Sequence, residues 1–464
     1  MRLNQKPAAR RTYEGAKASG ISPIEQLRRA VLSCMLWEKQ FYESGEAIAE
    51  RIEKLCDKVH IKELAELAIK ARTEYKLRHA PSLLLCGLLR HPNKYLLGDK
   101  ISNIIAQVIQ RADELTELLA IYWKDGKKPI AAQLKKGLAL AFRKFNEYQL
   151  AKYNRPAAIK LGDVLKLVRP RPDSDEQSEL WRRLLNNELK TPDTWEVALS
   201  SGGDKKTHWE RLLREKKLGE LALLRNMRNF IQSDVDSDLV KRRLSDMRTD
   251  RILPFRFIAS ANHAPSFESE IEQAMLKSLS EMPKIGGRTV LLIDMSGSMS
   301  HALSGKSDLN RIDAACALAI LLREICEDVR IYTFSLKLCE IPARHGFALK
   351  DAIKNSQSMQ GTPLGLAIKS IYAAKDFHQD TFTFNMYHRN IPVEYRGQNL
   401  KPDRLIIFTD EQSHDEVGAP QSQAYMINIA SYDKGVAYGQ YHHINGFSEA
   451  VIDYIREFEK ADLQ

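Results

Sequence analysis

The chain has 464 residues, 44% hydrophobic and 28% charged, which is too long for one hydrophobic core and too apolar for a disordered polyelectrolyte. Its net charge of +10 is uneven: over 284–464, 19 Lys and Arg face 22 Asp and Glu, leaving 51 against 38 for residues 1–283. A basic excess confined to the amino-terminal part predicts a polyanion partner there, and no apolar run approaches the length of a membrane span.

The first twenty residues, MRLNQKPAARRTYEGAKASG, are basic but lack the apolar core of a secretion signal. Six scattered cysteines (34, 56, 86, 316, 326 and 339) form no CxxC pair, and most lie within apolar patterns. Reduced, buried thiols in a cytoplasmic, monomeric protein are the expectation.

From about Ser22 to Ser280 the pattern is helical nearly throughout. Leu27, Ala30, Val31, Cys34 and Met35 share one helix face; Ile61, Leu64, Leu67, Ala68 and Ala71 repeat the spacing, as do Ile101, Ile104, Ile105, Val108 and Ile109. Successive helices of moderate length predict a bundle or an α-solenoid. Between Trp123 and Arg171, thirteen Lys and Arg meet three acids, with Tyr122, Trp123, Phe142, Phe145, Tyr148 and Tyr153 interleaved. Cations neutralise phosphates and rings stack on unpaired bases, so Lys135, Lys136, Arg143, Lys144, Lys152, Arg155, Lys160, Lys166, Arg169 and Arg171 are candidate RNA contacts. A solvated basic helix face, with Phe142, Phe145 and Tyr148 in the core, is the competing reading. Arg225 and Arg228 in LLRNMRNF are weaker candidates, and Lys241–Arg251, of mixed sign, reads as a solvated helix.

The texture changes at EMPKIGGRT, which divides the chain into a helical domain over 1–283 and an α/β domain over 284–464. TVLLID reads as a buried parallel strand and RIDAACALAILLREI as an amphipathic helix. Strand VRIYTFS, hairpin partner LKLCEIP, helix PLGLAIKSIYAA, strands RLIIFTD and AYMINIA and a closing helix GFSEAVIDYIREFEK complete a doubly wound α/β pattern. Residues 377–403 read as a long loop insertion, and His442–His443 as a surface loop.

In open α/β sheets, ligands gather at the carboxyl ends of strands. Asp294 ends TVLLID, and Ser296 and Ser298 follow at alternate positions around Gly297. Thr362 in QGTPLG and Asp410 in IIFTDE add two more oxygens. An all-oxygen set suits a hard divalent cation such as Mg2+.

This set resembles the metal-ion-dependent adhesion site (MIDAS) of von Willebrand factor A domains, in which the metal keeps one position open for an acidic group on a partner. The segments LRRAVLSCMLWEKQFYESG, KLGDVLKLVRPRP, LALLRNMRNF and ILPFRFIASANH resemble, in order, the TROVE module of the Ro autoantigen family, which ends in such an A domain. The resemblance covers nearly the whole chain and implies a bacterial or phage member. It implies an α plus α/β fold: a HEAT-like helical-repeat ring closed by the A domain. It also implies binding of small noncoding Y-like RNA on the outer surface. Single-stranded ends of misfolded RNA would thread the central hole, in RNA quality control, with an exoribonuclease of polynucleotide phosphorylase type as partner. The Y RNA segment of the family brings over Lys152 and Arg169, and Arg155 with a one-residue shift. No catalysis and no membrane association are expected. The alternative is a helical scaffold whose metal site grips an acidic residue of a protein partner.

Overall fold

The computed structural model describes residues 11–18, 21–33, 45–75, 77–200, 202–249, 252, 254–280, 282–303, 309–379, 383–386, 389–430, 432, 435–445, 455 and 459. The chain forms two compact units: one of 23–36 and 45–218, the other of 1–22, 37–44 and 219–464.

The first unit is α-helical. Its apolar stripes become one continuous core running from Leu27 to Leu184, and the predicted faces of Ile61–Ala71 and Ile101–Ile109 are buried within it. Cys34 and Met35 lie outside the described residues. Helix Ile61–Thr73 packs on Ala80–Arg90, Ala80–Arg90 on Ala112–Tyr122, Lys100–Val108 on Ala132–Phe142, and Ala132–Phe142 on Leu161–Val168. Each helix therefore meets its neighbours one or two places along the chain, which is the packing of stacked α-hairpins. Polar groups set the helix ends. Asn146 accepts from Gln149 N–H at 2.9 Å, while Gln149 Oε1 accepts from Asn146 N–H at 3.0 Å. Helix Leu161–Val168 stops at Arg169, whose φ of 48° ends the helical turn in the left-handed region.

The second unit holds the sheet. Its strands are β1 (Ile285–Asp294), β2 (Cys326–Phe334), β3 (Leu338–Ile341), β4 (His378–Gln379), β5 (Thr383–Met386), β6 (Arg389–Pro392), β7 (Tyr395–Arg396), β8 (Arg404–Thr409), β9 (Gln423–Asn428) and β10 (His442–Asn445). Six of them form one sheet in the order β10-β9-β8-β1-β2-β3, parallel except for β3 against β2. Val290 and Leu292 of β1 pack with Tyr332, Phe334, Leu405 and Ile407 on one face, under helix Leu364–Tyr372. The other face is covered by helix Arg311–Ile325. Read as amphipathic, this helix is buried nearly all round, because helices Pro254–His263, Glu268–Ser280 and Gly346–Lys354 pack on its outer side. Its outer positions are small or apolar (Ala314, Ala317, Leu318, Leu321) and tolerate that burial.

Three expectations are corrected. Residues 377–403 are not a plain loop: β4 pairs with β7 and β5 with β6, both antiparallel. His442 and His443 are not a surface loop but open β10, where the His443 side chain is buried and its Nδ1 lies 3.1 Å from Glu411 Oε1. Arg243, placed on a solvated helix, is also buried, 3.4 Å from Glu220. Of the closing helix only Ile455 and Glu459 are described. No helix among the described residues is long and apolar enough to cross a membrane.

Candidate metal centre and nucleic-acid interface

β1 and β8 are neighbours, so their carboxyl ends bring Asp294 and Asp410 to one edge of the sheet. Both side chains are fully buried. Asp294 accepts from Ser296 N–H at 2.7 Å and from Thr409 Oγ1 at 2.6 Å. Ser296 and Ser298 hydroxyls lie 3.1 Å apart, and Ser298 also hydrogen-bonds Asp410. Gly297 N–H donates to Gln360 O at 2.8 Å, which ties the serine turn to the loop carrying Thr362. Thr362 is buried; its carbonyl accepts from His414 N–H at 3.0 Å, and its N–H donates to His414 Nδ1 at 3.1 Å. Asp415 accepts from Gly365 and Leu366 N–H at 2.9 and 2.7 Å, fixing the helix that follows Thr362. The structure thus brings all five predicted oxygen-bearing residues to one sheet edge.

Burial and the facing charge of Asp410 push the Asp294 carboxyl well above the usual carboxylate range. Burial raises Asp410 too, against the lowering effect of Arg311. Glu411, next in the chain, sits at φ 60°, a left-handed turn that L residues seldom adopt, and its buried carboxylate accepts from Asn428 Nδ2 at 3.0 Å. That anchor turns the chain sharply directly after Asp410. Two buried carboxylates and three hydroxyls, with no nitrogen or sulfur donor in the set, match a hard cation, so the donor chemistry fits Mg2+.

Sequence reasoning missed three contributors. Thr409 donates to Asp294, and the hydroxyl before Asp410 in IIFTDE is the signal that could have found it. Arg311 Nη1 reaches Asp410 Oδ2 at 3.3 Å, Ser298 O at 3.4 Å and Tyr432 Oη at 2.7 Å, so one positive charge is built into the set. His414 stands beside Thr362, and no spacing rule singles it out.

In the helical unit, the candidate cations divide by what they touch. Lys135, Lys160, Lys166, Arg169 and Arg171 are exposed and form no ion pair among the described residues. Lys152 is half-buried, with Nζ 5.9 Å from the Tyr148 ring centroid and 5.8 Å from that of Tyr153; Arg111 lies 4.7 Å from the Tyr153 centroid. Tyr148 is exposed, whereas Phe142 and Phe145 are core. Lys136 pairs with Asp99 at 3.3 Å and Arg155 with Glu196 at 3.9 Å, both near the surface. Arg143 is bound to Asp173 through Nε at 2.8 Å. Lys144 donates to the carbonyls of Ala106 and Ile109, which end helix Lys100–Val108, and burial lowers its basicity.

Residues 182–291 match the TROVE domain family. The chain is 30% identical over 125 residues to telomerase protein component 1 of Mus musculus, covering 26% of this chain and 4% of that protein. Its likeness to the Rattus norvegicus counterpart is 32% over 89 residues, covering 18% and 3%. The chain thus spans only a small fraction of these relatives. Among solved structures, the crystal structure of the Deinococcus radiodurans RO (RSR) protein matches 93% of this chain and 99% of that chain, with a TM-score of 0.58 at 16% identity. That likeness is one of fold.

Proposed function

We propose that the chain is a TROVE-domain protein of Ro type and that it binds RNA. One observation carries the reading: Lys135, Lys160, Lys166, Arg169 and Arg171 stand exposed with no ion pair among the described residues, and Lys152 of the same basic run is framed by Tyr148 and Tyr153. Unpaired cations release counterions when phosphates replace them, and Tyr148 offers an exposed ring for an unstacked base. The RNA we assign is small, structured and Y-like, with single-stranded ends of misfolded RNA as a second class and an exoribonuclease of polynucleotide phosphorylase type as partner in quality control. The role is holding and presenting RNA, not turnover.

The carboxyl-terminal oxygen set is assigned a divalent cation, Mg2+, held by Asp294, Ser296, Ser298, Thr362 and Asp410. When bound, the cation supplies a positive centre for a carboxylate. Asp294 and Asp410 supply the negative charge that holds it, Thr409 orients Asp294, and Arg311 offsets part of the repulsion between the carboxylates. This set also supports the second reading, a scaffold gripping an acidic partner residue.

Fluorescence anisotropy with a labelled hairpin RNA, titrated across salt, separates the two. The RNA reading expects log Kd to rise with log salt with a slope of several units, unchanged by Asp294→Ala. A flat salt response, or no binding in dilute buffer, refutes it. The scaffold reading expects partner capture that chelator and Asp294→Ala both abolish.

A further inference from the structure

The described residues of the amino-terminal segment dock beside the oxygen set, on the stretch that follows Asp410. Residues 11–17 form a closed turn: Arg11 bridges to Lys17, Thr12 N–H donates to Ala16 O at 2.9 Å, and Ala16 N–H donates to Thr12 Oγ1 at 3.0 Å. The turn is fastened to the segment directly after Asp410. Thr12 Oγ1 donates to Ser413 O at 2.9 Å, and Tyr13 N–H donates to Gln412 Oε1 at 2.8 Å. The Tyr13 ring meets Tyr432 edge-on with centroids 5.6 Å apart, and Tyr432 is the residue whose hydroxyl accepts from Arg311. At the tip, Glu14 Oε2 lies 3.0 Å from His414 Nε2, while His414 Nδ1 accepts from Thr362 N–H. Glu14 is therefore one imidazole away from Thr362.

We infer that this turn is a built-in cap on the cation site, presenting Glu14 as the chain's own acidic group where adhesion-type sites take one from a partner. The inference rests on the metal reading above. Alone, a third carboxylate beside two buried ones is unfavourable: the Glu14 charge reaches Asp410 and adds to its upward shift. A divalent cation among them reverses that sign, turning repulsion into attraction. Cation binding and docking of the turn are then reciprocal: each tightens the other by the same factor. Thr12, Tyr13 and Lys17, the last 3.5 Å from Glu416, hold the turn in place without the cation, so the cap is seated before it is charged.

Hydrogen exchange of the full-length protein, with and without Mn2+, tests this, alongside calorimetric Mn2+ binding. Mn2+ should slow exchange of the Tyr13 and Ala16 amides by about fivefold or more. Glu14→Gln should remove that slowing and weaken Mn2+ binding by the same factor, leaving exchange without metal unaltered or slower. Asp294→Ala should abolish both effects. Mn2+ binding that depends on Asp294 but leaves turn exchange unchanged, or that slows it equally in Glu14→Gln, overturns the cap alone. Absence of any Asp294-dependent Mn2+ binding overturns the metal reading and the cap together.

Discussion

Arg311 places Nη1 3.3 Å from Asp410 Oδ2, and both side chains are buried. The arginine opens helix Arg311–Ile325, where the helix dipole disfavours a cation, so its position is explained by the carboxylate and not by the helix. Removing one partner of a buried pair leaves an uncompensated charge and costs about 3–5 kcal/mol. Arg311→Met, which keeps much of the volume, should lower the urea midpoint of the sheet-bearing unit by that order. Because a cation in the oxygen set would compensate the same carboxylate, added Mg2+ should recover part of the loss. A midpoint indifferent to Arg311→Met would show that the pair does not stabilise the unit.

Changing Lys152 and Arg169 together to Glu should weaken binding of a hairpin RNA by about tenfold or more and reduce the salt slope by about two units, one per phosphate contact. Arg169 is exposed and Lys152 only half-buried, so circular dichroism and unfolding midpoint should stay close to the parent. Unchanged RNA affinity would remove this face from the interface.

Lys144 belongs to the same basic run, but its ammonium closes the last carbonyls of helix Lys100–Val108. Lys144→Met should cost about 1.5–3 kcal/mol of stability, the range for hydrogen bonds to a charged group, and leave RNA affinity within about twofold. A large affinity loss with stability intact would reverse that assignment.

These contrasts show what the sequence made legible. Periodicity placed the buried faces of Ile61–Ala71 and Ile101–Ile109, and apolar strands ending in Asp294 and Asp410 placed the oxygen set, because both signals are local. The duty of Lys144 was not legible, since charge counting cannot tell a phosphate-facing ammonium from one bent onto a helix end. Nor was Arg311, or the turn at Glu14: their partners lie 99 and 400 residues away in the chain, and nothing local marks the pairing. His443 failed for the opposite reason. Two adjacent histidines before Asn445 and Gly446 look solvated until β9 supplies a strand to pair with and Glu411 a buried carboxylate.

The cysteines give a chemical check on the core. Burial pushes the Cys56 and Cys86 thiols up to about 12, so at pH 8 only about one in ten thousand is a thiolate. Cys316 is raised further by burial, whereas Cys339, half-buried on edge strand β3, is raised less. In a Cys34→Ser background, one equivalent of a thiol reagent should modify Cys339 first, with the buried thiols reacting only on unfolding, as read by peptide mass mapping. Early modification of Cys56 or Cys86 would show that the helical core opens well below global unfolding.

Two glycines in the helical unit should respond oppositely to the same change. A Cβ at Gly137 would lie 2.7 Å from Ile105 Cβ and 3.0 Å from Ser102 O, because helices Lys100–Val108 and Ala132–Phe142 approach closely there. The roughly 1 kcal/mol that alanine gains over glycine in a helix is then opposed by overpacking of about 1–3 kcal/mol, and neither neighbour can yield, one being a branched Cβ and the other backbone. At Gly162, in helix Leu161–Val168, the nearest atom is Leu185 Cδ2 at 3.7 Å, an ordinary contact. Gly137→Ala should therefore lower the unfolding midpoint and Gly162→Ala raise it, by up to about 1 kcal/mol in the second case. Stabilisation by Gly137→Ala would mean that the two helices stand further apart than their stacked-hairpin packing requires.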